Sequence, residues 1–130
     1  MPVARVYLPA GPGQVVALHR DRSLPAGAHV LSVAPGSGED VEHLAWLAAA
    51  EAAALLVAHG ERRVILAADV DVEHLAPQPG SQPTVSALRR PLGLRRVVSL
   101  HIDQDPGGEM ADLLWYDITE LPVLAAELST

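Results

Sequence analysis

Six residues have the side chains and spacing for chemistry: Asp69, Asp71, His101, Asp103, Asp105 and Asp117. An imidazole with two or three carboxylates is a ligand set for a divalent cation. Asp69 follows one predicted strand and Asp103 another. His101 and Asp103 are two apart, so on a strand they point to the same side. If the two strands run parallel and adjacent, these side chains converge at one edge of the sheet, where ligands commonly bind in α/β proteins. Asp69, His101 and Asp103, with Asp117 in support, would then hold a divalent metal, the one cofactor the sequence suggests. The product would be a small metal-binding protein or a metal-assisted hydrolase. The competing reading is that acidic residues end strands and cap turns for backbone reasons.

Other reaction types find less support. Gly11-Pro12-Gly13 and Gly36-Ser37-Gly38 each stand between a strand and a helix, as phosphate-binding loops do. Neither completes a dinucleotide or P-loop pattern, and Glu39 and Asp40 would repel a phosphate at the second. Ser32, Ser37, Ser86 and Ser99 lack the GxSxG elbow of a hydrolase nucleophile. The chain has no Cys, which removes thiolate catalysis, disulfides and Cys-based zinc sites. With no complete catalytic signature, the preferred expectation is a non-enzymatic binding or interaction module.

The residues suited to contact a partner are aromatic or small. In an extended segment Trp115 and Tyr116 point to opposite sides, one inward and one toward a groove or partner. Residues 37–60 form a long Ala/Leu-rich helix with Ser37 as its cap and acidic residues in its first turn, where the helix dipole favours them. At 100° per residue Val41, Leu44, Ala45, Ala48, Ala52, Leu55 and Leu56 share the stripe expected to pack on a sheet. Trp46, Ala50, Ala53 and Val57 make a second apolar face, which is expected to form a homodimer together with Trp115 and Tyr116. Glu51 falls at the stripe's boundary and would need a partner if buried.

The elements that must position these groups follow from periodicity and punctuation. Strands are expected at 3–8, 28–33, 63–70, 84–88 and 95–102, with a short one at 114–116. Residues 64–68 are continuously apolar, as suits a strand covered on both faces. A short helix is expected at 14–20, a helical turn at 109–114, and a final helix at 119–128 capped by Asp117. Residues 71–83, rich in Pro, Gly and Gln, read as the longest irregular stretch.

Composition bounds the class. The 130 residues fit one domain spanning the whole chain, with an aliphatic core, because Phe is absent and only four residues are Trp or Tyr. The formal net charge of −7 argues against nucleic acid as a partner, since binding phosphates needs a basic face. No apolar run is long enough to span a membrane, and the opening residues read as a strand, without the basic-then-apolar pattern of a leader. A cytoplasmic location is the expectation.

Several segments stand in a distinctive order: Val6-Tyr7-Leu8-Pro9-Ala10, the run from Val64 through Asp69 to Val70, His101-Ile102-Asp103, and Leu113-Leu114-Trp115-Tyr116-Asp117-Ile118-Thr119-Glu120-Leu121-Pro122. Together they resemble an uncharacterised family of small proteins from high-GC Gram-positive bacteria, known only as a domain of unknown function. The resemblance implies a bacterial lineage and a shared fold, and carries no activity. The expected architecture is mixed α+β: a two-layer sandwich whose mixed sheet of four to six strands carries the long helix and the C-terminal helix on one face. A three-layer arrangement is the alternative if residues 64–68 are covered on both sides.

Overall fold

An uninterrupted apolar run has no polar side to turn toward water, so residues 64–68 dictate the layering. The computed structural model describes residues 2–34, 36–58, 60–78, 84–105 and 113–129. In chain order the elements are β1 (Val3–Ala10), α1 (Pro12–Asp21), β2 (Ser23–Leu24), β3 (His29–Val33), α2 (Glu39–Leu56), β4 (Val64–Asp71), β5 (Leu75–Pro77), β6 (Thr84–Leu88), β7 (Leu92–Gly93), β8 (Val97–Asp103), β9 (Leu113–Asp117) and α3 (Leu121–Leu128). Among the described residues, seven strands form one sheet in the order β5-β6-β3-β1-β4-β8-β9, while β2 and β7 pair in a separate ribbon. Every pairing is antiparallel. The sheet is therefore wider than the four to six strands expected and is not mixed.

β4 lies near the middle of this sheet, and Val64, Ile65, Leu66, Ala67 and Ala68 are essentially inaccessible to solvent. Its side chains alternate between two cores. Val64, Leu66 and Ala68 meet Val15 and Leu18 of α1 and Leu121, Leu124 and Ala125 of α3. Ile65 and Ala67 join Tyr7 and Leu31 beneath Ala45, Ala49 and Ala50 of α2. Helices thus cover both faces, and the two-layer expectation gives way to three layers. An apolar strand at the centre of a sheet would otherwise leave one row of side chains in water.

Local capping departs from the expectation at α2 and agrees with it before α3. Gly38, at φ 91°, is the residue before α2, and no side chain caps the helix. Ser37 instead donates its hydroxyl to the Ala34 carbonyl at 2.6 Å, closing the loop that precedes the helix. Asp117 accepts from the Thr119 N–H, and Glu120 reaches back to accept from the Asp117 N–H, a reciprocal cap. It opens a single 3₁₀ turn that leads into α3. The first helix is firmer than Gly11-Pro12-Gly13 suggests. Pro12 takes a first-turn position that tolerates its missing N–H, and the Gln14 amide oxygen accepts from the Gly11 N–H. Of the turn expected at 109–114, residues 109–112 lie outside the described residues, and Leu113 and Leu114 belong to β9.

α2 sits on the sheet by a different face from the one expected. Ala45, Ala49 and Ala53 recur every fourth residue beside Ala50, and all four are fully buried. Leu55 is 88% exposed, and Leu44 and Leu56 are exposed too. The buried stripe is rotated by about 100°, one residue around the helix. A stripe of small side chains lets the helix axis approach Tyr7, Leu31 and Ile65 closely, and leucines in that layer would hold it off. Ala50 and Ala53, expected at a partner interface, are consumed by the chain's own core, and Glu51 is exposed. The orientation has a measurable consequence. Ala49→Leu should lower the unfolding free energy by about 1–3 kcal/mol through overpacking. Leu55→Ala should stay within about 0.5 kcal/mol of the parent in the same urea titration.

Candidate functional site

A helix about 10 Å across covers two or three strands spaced ~4.8 Å apart. Two helices share the α1/α3 face, but α2 alone serves the other, packing over β1, β3 and β4. The β8 and β9 half of that face is left with only partial cover, and a cleft of about 570 Å³ opens between the N-terminal half of α2 and the sheet. Its floor is Tyr7, Ala67, Ser99, His101 and Trp115, all carried on strands. Glu39, Asp40, Glu42, His43 and Trp46 of α2 form the opposite wall, and Arg5 closes one side.

The aromatic groups of the cleft touch one another. His43 stacks on Trp46, three residues along the helix, with ring centroids 6.1 Å apart and planes 10° from parallel. Trp46 meets His101 edge-on at 6.0 Å. Trp115, opposite His101 in the β8–β9 register, is 61% exposed. Arg5 donates through Nε to Asp69 Oδ1 at 2.7 Å, so the one guanidinium among the cleft's described residues is already matched by a carboxylate. That hydrogen bond holds the Arg5 guanidinium above its ordinary range. Burial, and then the negative Glu42, push the Tyr7 phenol up, and burial pushes the His101 imidazole down. Glu39, Asp40 and Glu42 have no ion-pair partner among the described residues. The cleft is therefore aromatic and electronegative, and burial disfavours the charged form of its His101 imidazole.

The expected metal set does not assemble. β4 and β8 are adjacent but antiparallel, with Val64 opposite Ile102. Asp69 and Asp103, each near the C-terminal end of its strand, are thereby sent to opposite ends of the sheet, roughly 20 Å apart at ~3.3 Å per residue. Asp69 is paired with Arg5, and Asp117 binds the Thr119 hydroxyl at 2.7 Å as well as its N–H. Asp103 is buried and accepts three hydrogen bonds from Arg63: Nε at 2.8 Å, Nη2 at 2.7 Å and the main-chain N–H at 2.8 Å. A carboxylate so fully engaged serves structure. His101 lies between the two ends, against Trp46. All four project toward the α2 side of the sheet by strand parity, yet each has a different neighbour.

Among the described residues, one group of His and carboxylates does bring its ligand atoms within 4.8 Å of one another: Asp71, Glu73 and His74. They belong to the 3₁₀ turn after β4, where Arg96 Nη2 already lies 3.4 Å from Asp71. A cation placed there would compete with a guanidinium.

The residues expected at an interface also separate. Trp46 and Trp115 both line the cleft, whereas Tyr116 turns to the other face and packs on the α1/α3 core. The opposed directions of Trp115 and Tyr116 are those an extended segment requires. Val57 is half-buried beyond the end of α2, near Gly11, where a Cβ would come 3.0 Å from its Cγ1. Sequence reasoning missed Arg5, Tyr7, His43 and Ser99 as members of one site. Of the cleft's lining, Trp46, Trp115 and His101 stood among the sequence candidates, the tryptophans for an interface and His101 for a metal.

A family model described as a family of unknown function, DUF6912, matches residues 4–125. No curated protein and no solved structure matches the chain.

Two measurements separate the structural from the chemical groups. Asp103→Ala should cost about 3–5 kcal/mol in urea denaturation, because it breaks a buried ion pair that carries three hydrogen bonds. For His101, the folded chain binds its proton less readily than the unfolded chain, whose value is the ordinary 6.5. The stability this contributes is present above that pH and is lost as the pH falls below it. His101→Gln should therefore flatten the fall in stability between about pH 7 and about pH 5. An unchanged slope would remove the desolvated imidazole as its source.

Proposed function

The chain belongs to this family of unknown function, DUF6912, and we propose that the protein is a non-enzymatic binding module whose cleft takes an organic cation. The observation that carries the proposal is the open face of Trp115 set across the cleft from the carboxylates of Glu39, Asp40 and Glu42. An ammonium or guanidinium group on a carbon chain satisfies both parts at once. Its charge is attracted to the carboxylates and to the indole quadrupole, and its carbon chain covers ring surface. The N-terminus of α2 is partially positive, which offsets some of this field, but three carboxylates outweigh the half-charge of a helix dipole. Arg5 contributes little repulsion, because Asp69 is bonded to it.

The volume of about 570 Å³ falls within the range of small-molecule sites. The cleft's described side chains include no hydrogen-bonded nucleophile and base, which favours binding over catalysis. An anion would face a field of the wrong sign, in keeping with the chain's net charge of −7.

Isothermal calorimetry with spermidine and with arginine amide tests this reading, using glutarate as the anionic control. Saturable binding of a cation is expected, weakened about 5- to 30-fold by Trp115→Ala or by Glu42→Gln, which corresponds to about 1–2 kcal/mol per contact. Glutarate binding as tightly as the cations, or no saturable heat from either cation, would defeat it.

A further inference from the structure

The edge of a sheet presents unpaired N–H and C=O groups, and proteins blunt such edges with brevity, Pro or charge. The two edges of this sheet differ sharply in that respect. β5 has three residues and ends in Pro77. β9 has five, Leu113-Leu114-Trp115-Tyr116-Asp117, with no Pro, no Gly and no basic residue. Its inner side pairs with β8 along its whole length, and no described strand pairs with its outer side. Its exposed side chains are large, apolar and on both faces: Trp115 on the α2 side and Leu114, 41% exposed, on the other.

We infer that the outer edge of β9 pairs antiparallel with β9 of a second copy of this chain, joining two sheets across a two-fold axis. The strand suits itself as a partner. Pairing centred on Trp115 sets each Trp115 against its symmetry mate and each Leu114 against a Tyr116, both favourable cross-strand combinations. Its one charge, Asp117, stands at the end of the strand, so an antiparallel pair places the two carboxylates at opposite ends of the ribbon. A parallel pair would bring them together. The outward face of α2 is a poorer self-association surface, because the charged Glu51 stands about 20° in angle from the exposed Leu44 and about 40° from the exposed Leu55.

Two properties follow. A five-residue ribbon with its flanking side chains buries less than the ~1,200 Å² of a standard interface, so the dimer forms and dissociates with concentration. Trp115 also lines the cleft, so the pairing sets two clefts side by side with a second indole at each opening.

Sedimentation equilibrium from about 1 μM to about 1 mM tests the inference, with hydrogen exchange of the β9 amides measured alongside. The expected result is a reversible shift from monomer to dimer mass, with the outer β9 amides protected as the dimer fills. Leu114→Lys should weaken association by about tenfold or more. Because Leu114 is exposed and lies on the face away from the cleft, its replacement should leave the circular dichroism, the urea midpoint and spermidine binding unchanged when compared at about 1 μM, where the parent is also a monomer. Trp115→Lys should also dissociate the dimer, and it should weaken spermidine binding as well. A monomer at every concentration, a dimer indifferent to both substitutions, or association that protects no β9 amide would overturn the inference.

Discussion

The architecture depends on β4 being apolar on both faces. Val64, Leu66 and Ala68 require cover on one side of the sheet, and Ile65 and Ala67 require it on the other. The three helices among the described residues are therefore divided between two faces, and an uneven division follows from their number. α1 and α3 share one face, and α2 alone serves the other. Its row of Ala45, Ala49 and Ala53 brings it close enough to seal β1, β3 and β4, and its width prevents it from reaching β8 and β9. The cleft is what remains of that face. Trp46, edge-on to His101 of β8, supplies part of its wall.

Partner identity separates the carboxylates that hold the fold from those available to a ligand. Asp69, Asp103 and Asp117 look chemically capable, and each has a structural assignment. Asp69 neutralises Arg5, Asp103 is clamped by the Arg63 fork and main chain, and Asp117 starts the turn before α3. Glu39, Asp40 and Glu42 look like ordinary helix-end residues that complement a dipole, yet they line the cleft without ion-pair partners among the described residues. A buried carboxylate must be satisfied by its own chain. An exposed one at a helix start is stabilised at little cost and stays available.

Elements with a strong local signal were legible in the sequence. The strand at residues 84–88 coincides with β6, and those at 63–70 and 95–102 fall within two residues of β4 and β8. The Asp117 and Glu120 cap was legible because its reciprocal bonds span three residues. β5 escaped notice because three residues inside a Pro-rich stretch carry no periodicity, and β2 and β7, at two residues each, exist only through pairing with one another. The sheet-facing side of α2 was misread because Ala and Leu both count as apolar, while the packing distance distinguishes them by size. Of the site, the two tryptophans and His101 were visible as candidates, but their convergence on one cleft was not.

The amino-acid sequence by itself determined the mixed α+β class, the aliphatic core, the uninterrupted apolar run of β4, the long helix and the opposed directions of Trp115 and Tyr116. These depend on side-chain polarity and on the periods of single elements. Tertiary structure alone decided that β4 and β8 run antiparallel, and thereby which acidic residues would be neighbours. It also decided which face of α2 meets the sheet, and that β9, with Trp115 exposed, would lie at an edge. Strand direction and order depend on how loops return the chain, and the helix face depends on how closely two layers approach. Both are set by contacts between residues far apart in the chain, where local pattern carries no information.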